Sequence, residues 1–354
     1  MFKIVFCQFI RLFSFYVSFE ETFLNSNLLE MNIVIVGCGY WGRNFVRILQ
    51  QYPNVFIKGL VDTNPENVSA ELIGNHLLFR SLEQAIEQLN FDAAIVATPV
   101  NTHFNIVKQL LEAGKHVLCE KILSTDINEI EQLEQLAKRN GRFLMVGHTY
   151  LFNAIVEDIK QRLIEHQLGD ILHATFKRSG LGPIRKDVGV VEDLASHDLS
   201  IILHWFGMPN KIFCTSRDVT GDGLADIAFL QLVYENNMII NIEVSWLNPI
   251  KQRLIEVIGS KQMLIFDDIN PIEKLRIISP GTGYIKEIKD FALHQTHVRG
   301  GDIVAPNINY GEPLKNEVEA FCGLIETGKS VVNTLETAKN VASIIYNICH
   351  NKTR

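Results

Sequence analysis

From residue 31 onward, short runs of consecutive apolar residues alternate with longer stretches in which apolar residues recur every three or four positions. The runs NIVIVG, FIKGLVD, DAAIVAT, HVLCEK and FLMVG carry almost no polar residue on either face. Strands covered by helices on both sides look like this. The stretches FNIVKQLLEAG and INEIEQLEQLAKRNG have helical spacing instead. This rhythm predicts right-handed βαβ crossovers and a doubly wound parallel sheet, an α/β Rossmann architecture over residues 31–149.

After Gly147 the pattern changes. Helical segments VEDIKQRLIEHQLG and DLASHDLSIILHWFG are interleaved with longer runs of period two, namely ILHATFKRS, IAFLQLVYENNMIINIEVSWL and QRLIEVIGSKQMLIFDD. Hairpin turns are expected at Asn236-Asn237 and Gly259-Ser260. Residues 150–354 therefore read as an α+β domain with a large, mostly antiparallel sheet. The tail segments LKNEVEAFCGLIETG and TLETAKNVASIIYNIC are helical again and are expected to return to the first domain.

Residues 1–30 stand apart. MFKIVFCQFIRLFSFYVSFEE is rich in phenylalanine, with Lys3, Arg11, Ser14 and Ser18 on one side of a possible helix. Such a segment can touch a membrane surface, but Arg11 interrupts the apolar run and the run is short for a span. The expectation is an upstream extension of the reading frame, outside the fold, because Met31 opens strand NIVIVG at once.

Composition narrows the function classes. A chain of 354 residues with 47% hydrophobic and 21% charged content suits a soluble protein of two domains. A formal charge of −7, without a sustained Lys/Arg run, speaks against nucleic acid as a partner. The cysteines Cys7, Cys38, Cys119, Cys214, Cys322 and Cys349 form no C-x-x-C pair, so neither a zinc site nor a disulfide framework is expected. Reduced thiols and a cytoplasmic location fit best.

The stretch VIVGCGYWGRN supplies the first chemistry. Gly37, Gly39 and Gly42 form G-x-G-x-x-G directly after a strand and before a helix. In a dinucleotide site the first glycine permits the turn, the second lets backbone approach a pyrophosphate, and the third lets helix and strand pack closely. Tyr40 and Trp41 lie inside the same turn. Asp62 stands at the end of the next strand, 20 residues after Gly42, placed to accept hydrogen bonds from an adenosine ribose. It is followed by Thr63 without an adjacent arginine, so NAD is expected rather than NADP.

Further along, Thr98, Pro99 and Asn101 follow a strand and so lie at the carboxyl edge of the sheet, where open α/β folds bind ligands. His103 begins the next helix, either as a solvated or capping residue or beside a nicotinamide. Glu120 and Lys121 end another strand at the same edge, where an ammonium can polarise a carbonyl or steady an alkoxide. Asp193 and His197 are four apart and share a helical face, so the carboxylate can orient the imidazole. A helix cap plus an ordinary satisfied histidine is the alternative.

Taken in order, GCGYWGRN, VDTNP, ATPVNTH, AGKHVLCEK, GHTYLFN and DLASHD resemble the Gfo/Idh/MocA oxidoreductase family over nearly everything after Met31. GHTYLFNAIV, the stretch from Arg178 and DLASHDLSIILHWFG are similar to its nucleotide-sugar branch, the UDP-N-acetylglucosamine and UDP-N-acetylglucosaminuronate 3-dehydrogenases. The resemblance implies a nicotinamide-dependent enzyme that moves a hydride to or from a secondary hydroxyl of a sugar, in the making of a surface polysaccharide. It implies Lys121, Asp193 and His197 as catalytic residues, with His197 taking the proton, Asp193 holding its tautomer and Lys121 holding the oxygen. Arg178 and Arg185 become candidates for a diphosphate or carboxylate, and Asn153 for a sugar hydroxyl. Ile122 stands where the family's E-K-P motif has proline. No metal is expected, and a homodimer or homotetramer is. Two other functions stay open: a non-catalytic NAD or sugar sensor, and NAD-assisted elimination or glycoside cleavage.

Overall fold

A computed structural model describes residues 30–350 apart from 75, 281–299, 310 and 331. The expected upstream extension, with Cys7, lies outside the described residues. Strands β1 (Met31–Val36), β2 (Val55–Val61), β3 (Leu77–Phe79), β4 (Ala93–Val96), β5 (His116–Glu120) and β6 (Leu144–Gly147) form one parallel sheet in the order β3-β2-β1-β4-β5-β6. Helices α1 (Tyr40–Leu49), α2 (Ala70–Ile73), α3 (Leu82–Gln88), α4 (Val100–Glu112) and α5 (Ile127–Arg139) make the crossovers.

The all-apolar strands have the cause read from the sequence. In β1, Ile33 and Ile35 pack with Phe45, Ile48 and Leu49 of α1, while Val34 and Val36 pack with Val107, Leu110 and Leu111 of α4 on the opposite face. Each such burial is worth about 1.5–3 kcal/mol. Strand order reverses between β1 and β4, and that crevice, at the carboxyl ends of both strands, is where a doubly wound sheet takes its ligand. β3 has three residues, too few to show a period.

Helix α6 (Ala154–Ile164) leads into the second sheet. Its strands are β7 (Ile171–Ser179), β8 (Lys211–Arg217), β9 (Ile227–Val233), β10 (Ile239–Ser245), β11 (Gln252–Gly259), β12 (Met263–Asp267), β13 (Leu275–Pro280) and β14 (Gly300–Val304). They are ordered β14-β13-β12-β11-β7-β10-β9-β8, and only β7 with β10 runs parallel. The Asn236-Asn237 turn joins β9 to β10, with Asn237 in the left-handed region at φ 63°. The Gly259-Ser260 turn joins β11 to β12, and a Cβ on Gly259 would sit 2.1 Å from the Leu168 carbonyl oxygen.

A π-helical turn (Val191–Ala195) runs into α7 (Ser196–Phe206), which covers the inner face of this sheet through Leu199, Ile201 and Ile202. The last helices bridge both sheets. α8 (Pro313–Thr327) sets Leu314, Val318 and Phe321 into the core beneath α1, and Tyr52 donates to Glu319 at 2.6 Å. α9 (Thr334–His350) lies against β6 and α7, and the Thr334 hydroxyl accepts from the Val146 N–H at 3.0 Å. Among the described residues no helix is long and apolar enough to cross a membrane.

Candidate active site

The glycine turn is built as its spacing requires. Gly37 has φ 94°, and a Cβ there would lie 2.6 Å from the Ala97 carbonyl oxygen. A Cβ on Gly42 would lie 1.9 Å from the Gly37 oxygen, so the start of α1 rests directly on the turn. Gly39 differs: a Cβ there would meet nothing within 4 Å. Its lack of a side chain instead leaves clear the first-turn N–H groups of α1, which it caps without a side-chain hydrogen bond. Such a helix start favours an anion.

Asp62 spans the mouth of this turn, accepting from the Cys38 N–H and the Asn64 N–H, both at 2.9 Å. Each carboxylate oxygen keeps a second lone pair for a ribose hydroxyl. Burial, then the nearby Asp62 charge, push the Cys38 thiol up to about 12, so it is not a nucleophile. Tyr40 is 77% exposed and meets Trp41 edge to face on the outer side of the turn. Across the crevice, Thr98 accepts from the Thr102 hydroxyl at 2.7 Å, Pro99 caps α4, and Asn101 is exposed in its first turn.

His103 is neither solvated nor open to a cofactor, and this corrects both sequence readings. It is 1% exposed, with Nδ1 2.8 Å from the Ile122 carbonyl oxygen and Nε2 2.8 Å from the Thr98 carbonyl oxygen. It joins the loops after β4 and β5.

The Lys121–Ile122 peptide is cis. Lys121 leaves the end of β5 and crosses to the second sheet's domain, where Nζ donates to the Asp193 carbonyl oxygen at 2.6 Å and to its Oδ1 at 3.2 Å. Asp193 also accepts from Arg185 at 3.2 Å and from the Trp246 indole N–H at 3.3 Å. Its carboxylate is therefore spent on Lys121, Arg185 and Trp246, and not on His197 as the four-residue spacing suggested. The π-helical turn explains this: it widens the helix at Asp193 and breaks the ordinary one-face register.

His197 lies one turn further, edge to face with Tyr150 at 5.4 Å between ring centres. Burial, then the charges of Lys121, Arg178 and Arg253, hold its imidazole well below the usual range. It is neutral at ordinary pH. Burial likewise lowers Lys121, against the pull of Asp193 and Glu120. Burial raises Asp193, but Lys121 and Arg185 outweigh it and leave the carboxyl below its ordinary value.

Three substrate-contact expectations are revised. Arg178 is buried and engaged by Asp198 through contacts of 2.8 to 3.1 Å, and it donates to the Tyr150 hydroxyl at 2.9 Å. It has little left for a diphosphate. Asn153 is buried as the N-cap of α6, accepting from the Ile155 N–H at 2.9 Å. Arg185 sits at the rim, donating from Nε to Asp187 at 2.9 Å while holding Asp193, so it braces the site more than it waits for an anion.

Several residues here were not singled out from sequence. The Tyr150 hydroxyl donates to Asp268 at 2.9 Å and accepts from Arg178 and Arg253, linking β7, β11 and β12 beside His197. Trp246 directly follows β10, and its signal was a lone aromatic after an alternating strand. Asp198, adjacent to the expected His197, is the buried partner of Arg178. Among the described residues no group of three or more His, Cys, Asp or Glu could hold a metal ion.

A doubly wound domain with a glycine-rich turn, joined across a lysine bridge to a second sheet, gives the architecture of a dinucleotide-binding oxidoreductase family. Residues 31–148 match the oxidoreductase family with an NAD-binding Rossmann fold, and residues 156–265 match the GFO/IDH/MocA C-terminal domain. The chain belongs to the GFO/IDH/MocA family, and its first domain is an NAD-binding Rossmann domain. It is similar to inositol 2-dehydrogenase 2 of Saccharopolyspora erythraea, 27% identical over 61% of this chain and 67% of that one. It is also similar to 2,7-anhydro-N-acetylneuraminate hydratase of Escherichia coli, 24% identical over 80% of this chain and 81% of that one. Among solved structures, UDP-N-acetylglucosamine 3-dehydrogenase of Acidithiobacillus ferrooxidans superposes with a TM-score of 0.73 at 22% identity, covering 91% of this chain and 97% of the other.

Proposed function

We propose that this protein is an NAD-dependent dehydrogenase acting on a secondary hydroxyl of a sugar, with nucleotide-linked sugars as the substrate class. The carrying observation is the Lys121 ammonium, set at the carboxyl edge of the NAD-binding sheet and held at 2.6 and 3.2 Å by Asp193 of the other domain. In this reading residues 31–149 carry the cofactor and residues 150–354 the substrate.

Oxidising a CHOH centre sends a hydride to bound nicotinamide and releases a proton from oxygen. His197, neutral for the reasons above, takes that proton. Lys121 donates to the same oxygen and stabilises negative charge as it develops. Asp193 aims Lys121, in place of the tautomer-fixing role expected from sequence. Gly39 and the first turn of α1 fit a pyrophosphate, and Asp62 fits a ribose diol. The nucleotide-sugar assignment draws on the resemblance of the GHTYLFN and DLASHD stretches and on the shared fold of the 3-dehydrogenase. Two or four copies pairing through the open face of the second sheet belong to the same reading, since Phe213 and Phe229 there are 54% and 50% exposed.

A second reading is supported by the hydratase relative: transient oxidation that assists elimination. The test is absorbance in the NADH band while the protein meets NAD and a panel of UDP-sugars and free sugars, with product analysis alongside. NADH accumulation with a UDP-sugar supports the dehydrogenase, and product without net NADH supports elimination. Neither with any sugar favours a sensor.

A further inference from the structure

Six buried side-chain nitrogen and oxygen atoms lack a hydrogen-bond partner among the described residues, and five of them belong to Glu120, His148 and Glu317. These residues end β5, follow β6 and occupy the second turn of α8, and they gather behind Lys121. Such concentration is unlike the scattered unsatisfied groups of an ordinary core.

Glu317 is 0% exposed, and among the described residues no cation pairs with it. A lone buried carboxylate costs far more than a lone buried acid, so the group is neutral and its O–H needs an acceptor. The groups beside it are the Thr149 hydroxyl and Glu120, and Glu120 has an oxygen to spare. Its Oε2 accepts from the Lys121 N–H at 3.3 Å, which leaves Oε1 unpartnered. Both residues flank Gly147: a Cβ there would lie 3.1 Å from Glu317 Oε1 and 3.3 Å from the Glu120 Cα. The glycine is what lets α8 approach the strand edge.

We propose that Glu317 is a positioning residue that stays protonated and donates to Glu120 Oε1, so that the two carboxyls hold one proton and one negative charge against the Lys121 ammonium. The second anion matters because Asp193 already divides its charge between Lys121 and Arg185. The charged groups acting on the pair are Lys121 and Arg185; burial lifts Glu120 to about 7 against their pull, so the pair carries its single charge above that pH. His148, which burial and then Lys121 hold at about 3, is uncharged and does not compete for that role. Burial and the nearby Glu120 charge also keep the Glu317 proton in place, outweighing the Thr149 hydroxyl, which favours the charged form. The effect on catalysis rests on the role of Lys121 proposed above, whereas the charge state of the pair does not.

Infrared spectra of the whole protein at mildly alkaline pH test the pairing. A buried carboxylic-acid C=O band is expected in the wild type. It should vanish in Glu317→Gln and persist, shifted, in Glu120→Gln. A wild type without that band, or a band that Glu317→Gln leaves intact, overturns the proposal. Lysine NMR titration reads the consequence. Glu317→Leu should lower the Lys121 ionisation by about one pH unit, tenfold in the equilibrium, and Glu317→Gln should restore most of it. A folded Glu317→Leu with an unmoved Lys121 contradicts it. Because neither readout uses a substrate, failure of the dehydrogenase reading would leave these results distinct.

Discussion

Asp193→Asn takes the directly paired anion from a buried ammonium, leaving it the residue-193 carbonyl and the more distant Glu120, and the structure sets the size of the effect. The Lys121 and Asp193 side chains are 8% and 18% exposed. Removing one partner of a pair so buried costs about 3–5 kcal/mol. The Arg185 arm of the same carboxylate is more open, at 31% side-chain exposure, and adds at most about 1 kcal/mol. In melting temperature the loss is on the order of 10 °C. Lys121→Met should cost less, because Arg185 and Trp246 still satisfy Asp193. The double variant should recover part of the loss, since neither charge is then left without its partner. The pH dependence has a definite sign. Lys121 holds its proton less tightly folded than unfolded, so stability rises with pH from its lowered value up to 10.5. Asp193→Asn lowers that value further and extends the window downward. Urea unfolding of all four proteins across pH measures each term. An Asp193→Asn protein within about 1 kcal/mol of wild type, or strict additivity in the double variant, refutes the reasoning.

The other predictions follow from single contacts. Gly42→Ala forces a methyl to 1.9 Å from the Gly37 oxygen and should unfold or badly destabilise the first domain, whereas Gly39→Ala meets open space and should keep the melting point while weakening NAD binding; calorimetry and NAD titration separate the two. Arg178→Lys, losing the fork on Asp198, should cost about 3 kcal/mol in urea unfolding, with no selective rise in KM for UDP-linked over free sugars. Acid should destabilise the protein as pH falls below 6.5, because the unfolded chain protonates His148 there while the folded one resists to about 3. His148→Gln should flatten stability between those values by a few kcal/mol, and an unchanged acid limb in unfolding curves argues against it.

Much of the fold was legible because burial on two faces writes itself into a strand. β4 and β6 are apolar throughout, β1 is apolar but for Asn32, β2 is broken by Lys58 and β5 is apolar between His116 and Glu120, and G-x-G-x-x-G sits between β1 and α1. β3, β8, β13 and β14 escaped notice: β3 is short, β8 and β14 lie at the sheet edges, and β13 pairs with edge strand β14. Within the candidate site, Lys121, Asp193 and His197 could be named as candidates, but their pairing could not. Helical spacing joined Asp193 to His197, whereas the π-helical turn and a lysine 72 positions upstream in sequence decided otherwise. Arg178 and Asn153 looked like ligands because their partners, Asp198 and the Ile155 N–H, meet them only through the local fold. Glu317 carried no signal at all. It lies 197 residues beyond Glu120 in an unremarkable amphipathic helix, and only the packing of α8 at Gly147 brings the two together.

Single-turnover mixing of the NAD-loaded protein with its best sugar from the panel tests the central claim most directly. Wild type, Lys121→Ala and His197→Ala are compared by the rate at which the NADH band forms. Each variant should bind NAD within a few-fold of wild type yet form the band about 10²- to 10⁴-fold more slowly. Wild-type rates in either variant would contradict it.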